Sequence, residues 1–240
     1  MLNFLKRRKE SGNWRGVYSR FGDVPRSGPA FGGEVWRDVL TAQLRDVDGG
    51  QWSEVVVVEH EVLLLLARLL SGEALHVVDF GGGFGASHAY LRKAMPDVRL
   101  RYDIVEVPEV VAAAPSRDGV SFADRLEPRH HDAAIVFVKS VLQYAEDYRA
   151  AIRSLMSLNA RFVLLEKFSG VDCASYASAQ VTVTGSSIPY WFISFGEVLD
   201  IAREAGYAPL LRRRLPRTYD QSAFPAELRM NQASTLLFAR

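Results

Sequence analysis

Residues 75–85, Leu-His-Val-Val-Asp-Phe-Gly-Gly-Gly-Phe-Gly, constrain the fold more than any other stretch: an apolar run ends in an acid and passes at once into a glycine-rich turn. A short apolar run closed by turn signals reads as a buried strand. Gly81, Gly83 and Gly85 let the backbone bend sharply and approach a ligand where a Cβ would clash. Asp79 then sits at the strand's C-terminal edge, the edge where open α/β sheets bind nucleotide-like ligands.

The rest of the chain alternates in the same manner. Phe84 to Met95 has helical spacing and stops at Pro96, and Val98 to Val105 reads as a strand before Pro108. Gly119 to Phe122 is a short strand, and the continuous run Ala133 to Val138 is typical of a strand buried on both faces. A capping box, Ser140 with Gln143, opens a helix reaching about Leu158 with an interruption, and Arg161 to Leu165 is another buried strand. Phe168 to Tyr190 reads as a long irregular stretch rich in Ser, Thr and Tyr. A second capping box, Ser194 with Glu197, opens a helix to Ala205 with Gly206 as its stop. Tyr207 to Leu215 and Ala233 to Ala239 follow as strands with no helix between them, so they pair antiparallel or lie apart.

The glycines also fit G-x-G-x-x-A through Gly81, Gly83 and Ala86, the fingerprint of nicotinamide or flavin dinucleotide enzymes. Glu106, closing the next apolar run, is placed to take both ribose hydroxyls, and that spacing serves dinucleotide and adenosyl ligands alike. Asp79 discriminates between them. A diphosphate on the turn would be repelled by a carboxylate there, whereas an ammonium and a sulfonium would be held, which favours S-adenosylmethionine.

With 240 residues, 48% hydrophobic and 24% charged, the chain can bury a full core and reads as one domain (73–240) preceded by an extension with capping helices (1–72). The net charge of +1 gives no field to draw nucleic acid, and the basic clusters Lys6 to Lys9 and Arg212 to Arg214 are short. One cysteine, Cys173, excludes an internal disulfide and a thiolate metal cluster, fitting a reducing compartment and a cytoplasmic location. Met1 to Glu10 lacks a long apolar region and is not expected to be a secretory signal. Val55 to Leu70 is interrupted by Glu59, His60, Glu61 and Arg68, so it reads as a core helix rather than a membrane span. No metal is expected: His130 and His131 are adjacent, and His60, His76 and His88 have no ligand spacing.

Alternating strands and helices with a terminal antiparallel hairpin describe the α/β, Rossmann-like sheet of class I methyltransferases, mostly parallel, here with an N-terminal helical extension. The chain also resembles a family of methyltransferase-like proteins sharing four motifs: Trp14, Gly16 and Tyr18; Asp79 to Gly82; Ser140 to Tyr144; and Pro189, Trp191 and Phe192. Lys139 departs from it by standing where a small hydroxyl residue is expected, and Glu166-Lys167 replaces an Asp-Arg pair. The resemblance implies that S-adenosylmethionine has its amino group near the turn and Asp79, its ribose on Glu106, and its adenine against Val107 and Phe122 with Asp124 near the exocyclic amine. It also implies that Gly81, Gly83, Gly85 and Tyr18 belong to the cofactor site.

Two reactions follow. One is methyl transfer to a small acceptor. The other is cyclisation, in which the cofactor's α-amine attacks its own γ-carbon to give azetidine-2-carboxylic acid and methylthioadenosine; the resemblance to that branch of the family favours cyclisation. Tyr176, Ser140 or Tyr190 would then orient the amine. The expected partner is a small-molecule substrate, within secondary metabolism, with no nucleic acid or membrane and a homodimer as an option. A dinucleotide oxidoreductase and a non-catalytic cofactor-binding scaffold are the rival readings.

Overall fold

The computed structural model describes residues 13–28, 31, 33–72, 74–182, 186–222, 224–230 and 232–240. The Lys6 to Lys9 cluster and the rest of Met1 to Glu10 lie outside them. In chain order, β1 (Asn13–Tyr18) precedes three helices, α1 (Glu34–Asp48), α2 (Glu54–Val58) and α3 (Glu61–Leu69). Then come β2 (Leu75–Phe80), α4 (Ala86–Ala94), β3 (Leu100–Val105), α5 (Pro108–Ala113), β4 (Val120–Ala123) and β5 (Ile135–Lys139). The second half holds α6 (Tyr148–Met156), β6 (Phe162–Phe168), β7 (Gly170–Val171), β8 (Tyr176–Val181), β9 (Ser187–Ser194), α7 (Phe195–Glu204), β10 (Ala208–Thr218) and β11 (Gln232–Ala239).

Seven strands form the main sheet in the order β10-β11-β6-β5-β2-β3-β4. The run from β6 to β4 is parallel, and β11 joins it antiparallel with β10 as its hairpin partner, as the spacing predicts. Helices cover both faces, which is why the central strands read as unbroken apolar runs. On the first face α3 and α4 pack on Val77, Ile104, Phe137, Leu164 and Leu237. On the second, α6 and α7 pack on Val78, Val136, Val138, Val163 and Leu165. The chain leaves β2 for β3 and β4 and returns to β5 on the other side, so β2 and β5 flank the switch point where such sheets bind ligands.

Five expectations change. The segment Phe168 to Tyr190 is not irregular: β7, β8 and β9 form a second sheet with β1, in the order β1-β8-β9-β7. The N-terminal extension is therefore not purely helical, because β1 is an edge strand of that sheet, paired antiparallel with β8. The Ser140 capping box does not form. Ser140 adopts a left-handed φ of 59°, Gln143 donates to its hydroxyl instead (2.9 Å), and α6 starts only at Tyr148, with Asp147 accepting from the Ala150 amide (2.9 Å). The helix starting after Ser194 is real but uncapped by Glu197, whose carboxylate is drawn off to the Tyr148 and Ser175 hydroxyls at 2.6 and 2.9 Å. The expected single helix Val55 to Leu70 is also broken, into α2 and α3, at Glu59-His60, and both of those residues are buried. Among the described residues no helix is long and apolar enough to cross a membrane.

Candidate functional site

The C-terminal ends of β4, β3, β2, β5 and β6 lie side by side, and the residues singled out in the sequence stand along that edge in order: Asp124, Glu106 with Val107, the glycine turn, then Ser140. The turn is tightly built. Gly81 has φ 76°, and a Cβ there would strike the Val141 side chain; Gly83 has φ 57°, and its Cβ would meet Leu40 of α1 at 2.7 Å. Any side chain at either position is excluded twice, by conformation and by space. Gly85, the third, is the residue preceding α4.

Glu106 ties this turn to β3. One carboxylate oxygen accepts from the Gly83 amide at 3.1 Å and the other from the Val107 amide at 2.9 Å, while burial pushes its pKa up. Val107 and Asp124 are exposed beyond it, and Phe122 is half-buried on β4. A hydroxyl-rich ring resting on Glu106 would find open surface on the β4 side.

Asp79 is placed differently from a bare rim charge. Its carboxyl is 1% exposed, lies beneath Gly82, and accepts from the Tyr102 hydroxyl at 2.7 Å. Burial raises its pKa to about 7, against the opposing pull of the Tyr102 bond and of Lys139. Near neutral pH it is poised between acid and carboxylate.

Asp79 belongs to a polar row that sequence reasoning did not find. On the first face of the sheet, near the strand ends, Tyr102 (β3), Asp79 (β2), Lys139 (β5), Glu166 (β6), Thr235 (β11) and Arg213 (β10) occupy successive strands. Thr235 donates to Glu166 at 2.8 Å, and the other Glu166 carboxylate oxygen is buried with no hydrogen-bond partner among the described residues; burial raises this carboxyl to about 7. The break between α2 and α3 covers the row. Glu59 lies 3.8 Å from the Lys139 ammonium and 3.9 Å from that of Lys167. His60 holds the Val56 carbonyl through Nδ1 (2.7 Å), while its Nε2 meets the Ser87 hydroxyl (3.0 Å) and the Lys139 ammonium (3.3 Å). Burial and the neighbouring Lys139 depress the imidazole to about 3, so it is neutral. The sequence signal for this row was the charged interruption of an apolar helix, together with Lys139 and Glu166-Lys167 at strand ends.

The proposed orienting hydroxyls scatter. Ser140 stays on the edge, hydrogen-bonded to Gln143. Tyr190 is buried, its hydroxyl shared with Ser169 and its ring against Tyr144 (5.2 Å) and Trp14 (5.6 Å). Tyr176 turns away: its hydroxyl donates to the Leu228 carbonyl and its ring stacks on Phe192 at 4.9 Å. Tyr18 ends β1, with its ring over Gly16. The Tyr190 and Tyr176 rings belong to an aromatic cluster formed by the second sheet and the β10–β11 end of the first, whereas Tyr18 packs against the core under α6 and α7. Trp14 is at its centre, and its indole N–H is buried with no acceptor among the described residues. Tyr144 donates to Gln180 (2.9 Å), its phenol pushed up to about 12 by burial.

No known protein family's sequence profile matches the chain. A probable scoulerine-9-O-methyltransferase of Papaver somniferum is 30% identical over 113 residues, which is 47% of this chain and 29% of that protein. The chain thus spans less than a third of the length of that curated relative. Among solved structures, Burkholderia thailandensis 1,6-didemethyltoxoflavin-N1-methyltransferase with bound S-adenosylhomocysteine is similar at a TM-score of 0.52 and 16% identity, covering 91% of this chain and 96% of the other. An amino pentose methyltransferase from Micromonospora echinaspora, solved with S-adenosylmethionine, is similar at 0.54 and 12%, covering 89% of this chain and 100% of the other. In agreement with the strand order, the chain has the α/β fold of class I S-adenosylmethionine-dependent methyltransferases.

Proposed function

We propose that the chain binds S-adenosylmethionine along the β4-to-β5 edge and transfers its methyl group to a small-molecule acceptor. The observation that carries this reading is Glu106, a carboxylate on the glycine-turn amide at the end of the strand next to the switch point, where it can exchange backbone partners for ribose hydroxyls. The residues fit the cofactor. Gly81 and Gly83 keep the turn free of side chains, Val107 and Phe122 offer apolar surface for an adenine with Asp124 beside it, and Asp79, poised near neutral pH, would be drawn toward its charged form by a nearby cation. The cofactor, when bound, supplies an electrophilic methyl already activated by the sulfonium charge. The chain's own part is to position a nucleophile in line and exclude water, and the aromatic cluster of Trp14, Tyr144 and Tyr190 walls the side where an acceptor would approach. Support also comes from the likeness to two methyltransferases of small molecules and from the scoulerine-9-O-methyltransferase match.

Transfer is preferred to cyclisation because Tyr176, the phenol invoked to orient the cofactor's amine, is engaged with the Leu228 carbonyl and packed on Phe192. Calorimetric titration with S-adenosylhomocysteine and with nicotinamide dinucleotides, followed by incubation with S-adenosylmethionine alone and with a small-molecule extract, tests the assignment. We expect S-adenosylhomocysteine to bind, the methyl donor to survive alone, and demethylated cofactor to appear with extract. Methylthioadenosine released from the donor alone would establish cyclisation, and tight dinucleotide binding would remove the cofactor assignment.

A further inference from the structure

Lys167 stands where β6 breaks its own alternation. Phe162 and Leu164 face α3 and α4, Val163 and Leu165 face α6 and α7, yet Phe168 joins the second set, out of phase. The register against β11 explains it: from Leu165 to Phe168 the chain advances three residues while its partner advances two, from Leu236 to Ser234. This is a β-bulge, a device that re-aims a side chain and recurs beside active sites. Lys167 sits in it with a left-handed φ of 53°, which glycine would adopt without strain. Strict alternation would send Lys167 to the far face. The bulge turns it instead toward Glu59, beside Lys139, so two ammonium groups converge on one carboxylate at ion-pair rather than hydrogen-bond distance.

Strand spacing divides the two lysines. Lys167 is three strands from Glu106, roughly 14 Å. About six bonds separate a ribose ring from the cofactor's carboxylate, roughly 8 Å. A cofactor resting on Glu106 therefore ends near β5, at Lys139, and Lys167 stands one strand further on. Lys167 is close enough to the Tyr144 phenol to act on it electrostatically, and from Tyr144 the rings of Tyr190 and Trp14 continue the wall, ending at the unpartnered Trp14 N–H.

We propose that Lys167 seats an anionic group of the methyl acceptor, and that this acceptor is an aromatic carboxylate. The inference rests on the cofactor reading above and deepens it. A strained lysine in a bulge suited to glycine is explained by its ammonium group, and a planar ring matches the aromatic wall.

The test is calorimetric titration of the S-adenosylhomocysteine-saturated protein with salicylate, 4-hydroxybenzoate and anthranilate, each against its neutral amide. At least one acid is expected to bind about tenfold or more tightly than its amide, as for a hydrogen bond to a charged group. Lys167→Gly should erase that preference with S-adenosylhomocysteine affinity retained and the melting temperature little changed, since relief of the left-handed backbone offsets the added chain entropy. Lys167→Asn, neutral and tolerant of the same backbone region, serves if the glycine variant fails to fold. Equal binding of acids and amides by the wild type, or a preference that survives in a folded variant, would overturn the assignment of Lys167. Loss of S-adenosylhomocysteine binding in the wild type itself would instead bring down the cofactor reading, and this inference with it.

Discussion

A carboxyl with a pKa near 7, such as Asp79, makes ligand binding and stability depend on pH in opposite ways. A bound cation favours the ionised form, so the complex holds fewer protons than the free protein, and cofactor affinity should rise as pH increases through 7, by up to about tenfold per unit below it. Calorimetry between pH 5.5 and 8.5 would show that slope in the wild type and none in Asp79→Asn; identical profiles would dismiss the linkage. For folding, the raised pKa means that the buried group holds its proton more tightly than in the unfolded chain. Its contribution is complete below the unfolded value near 4 and is lost as pH climbs to about 7, a cost on the order of 4 kcal/mol. Glu166 titrates in the same window for the same reason. Denaturation midpoints at pH 5 and pH 8 should therefore converge in Asp79→Asn relative to the wild type. Glu106→Ala should weaken S-adenosylhomocysteine binding by roughly ten- to a hundredfold, because a charged acceptor for ribose hydroxyls is lost; unchanged affinity would remove Glu106 from the site.

At the level of elements, helix α6 offers the clearest contrast between two capping candidates. Asp147, which accepts from the Ala150 amide, should cost about 1 kcal/mol on replacement by alanine, whereas Ser140→Ala should leave helix stability untouched. Urea titration of both variants decides it. The parallel strands were legible in sequence because burial on both faces leaves an apolar run with little to mimic it, and the terminal hairpin followed from the missing crossover helix. The second sheet was hidden because Ala177, Ser178 and Ala179 of β8 and the Pro189 of β9 carry weak strand propensity, and their burial depends on a partner strand from the far end of the chain. Of the candidate site, Asp79, the glycines and Glu106 were legible, since a strand end followed by a turn fixes their place. Glu59, His60 and Lys167 were not. A helix break and a bulge deliver them, and neither has a local pattern that announces it.

For the whole molecule, the joint between the two sheets is the aromatic cluster, with Trp14 in edge contact with Tyr190, Phe192 and Tyr219 at 5.6, 5.5 and 5.2 Å. Trp14→Ala should lower stability by about 3–5 kcal/mol, read from chemical denaturation, and a loss under 1 kcal/mol would show that β1 is dispensable. The pairing of Asn13 with Val181 also dictates an order of events during biosynthesis. Contacts so distant along the chain are slow to form, because a large loop must close before they repay its entropy. A ribosome must pass Val181 before β1 finds its neighbour, so that strand stays without its partner while all of β2 to β7 is being made, and the second sheet closes only after most of the parallel strands exist.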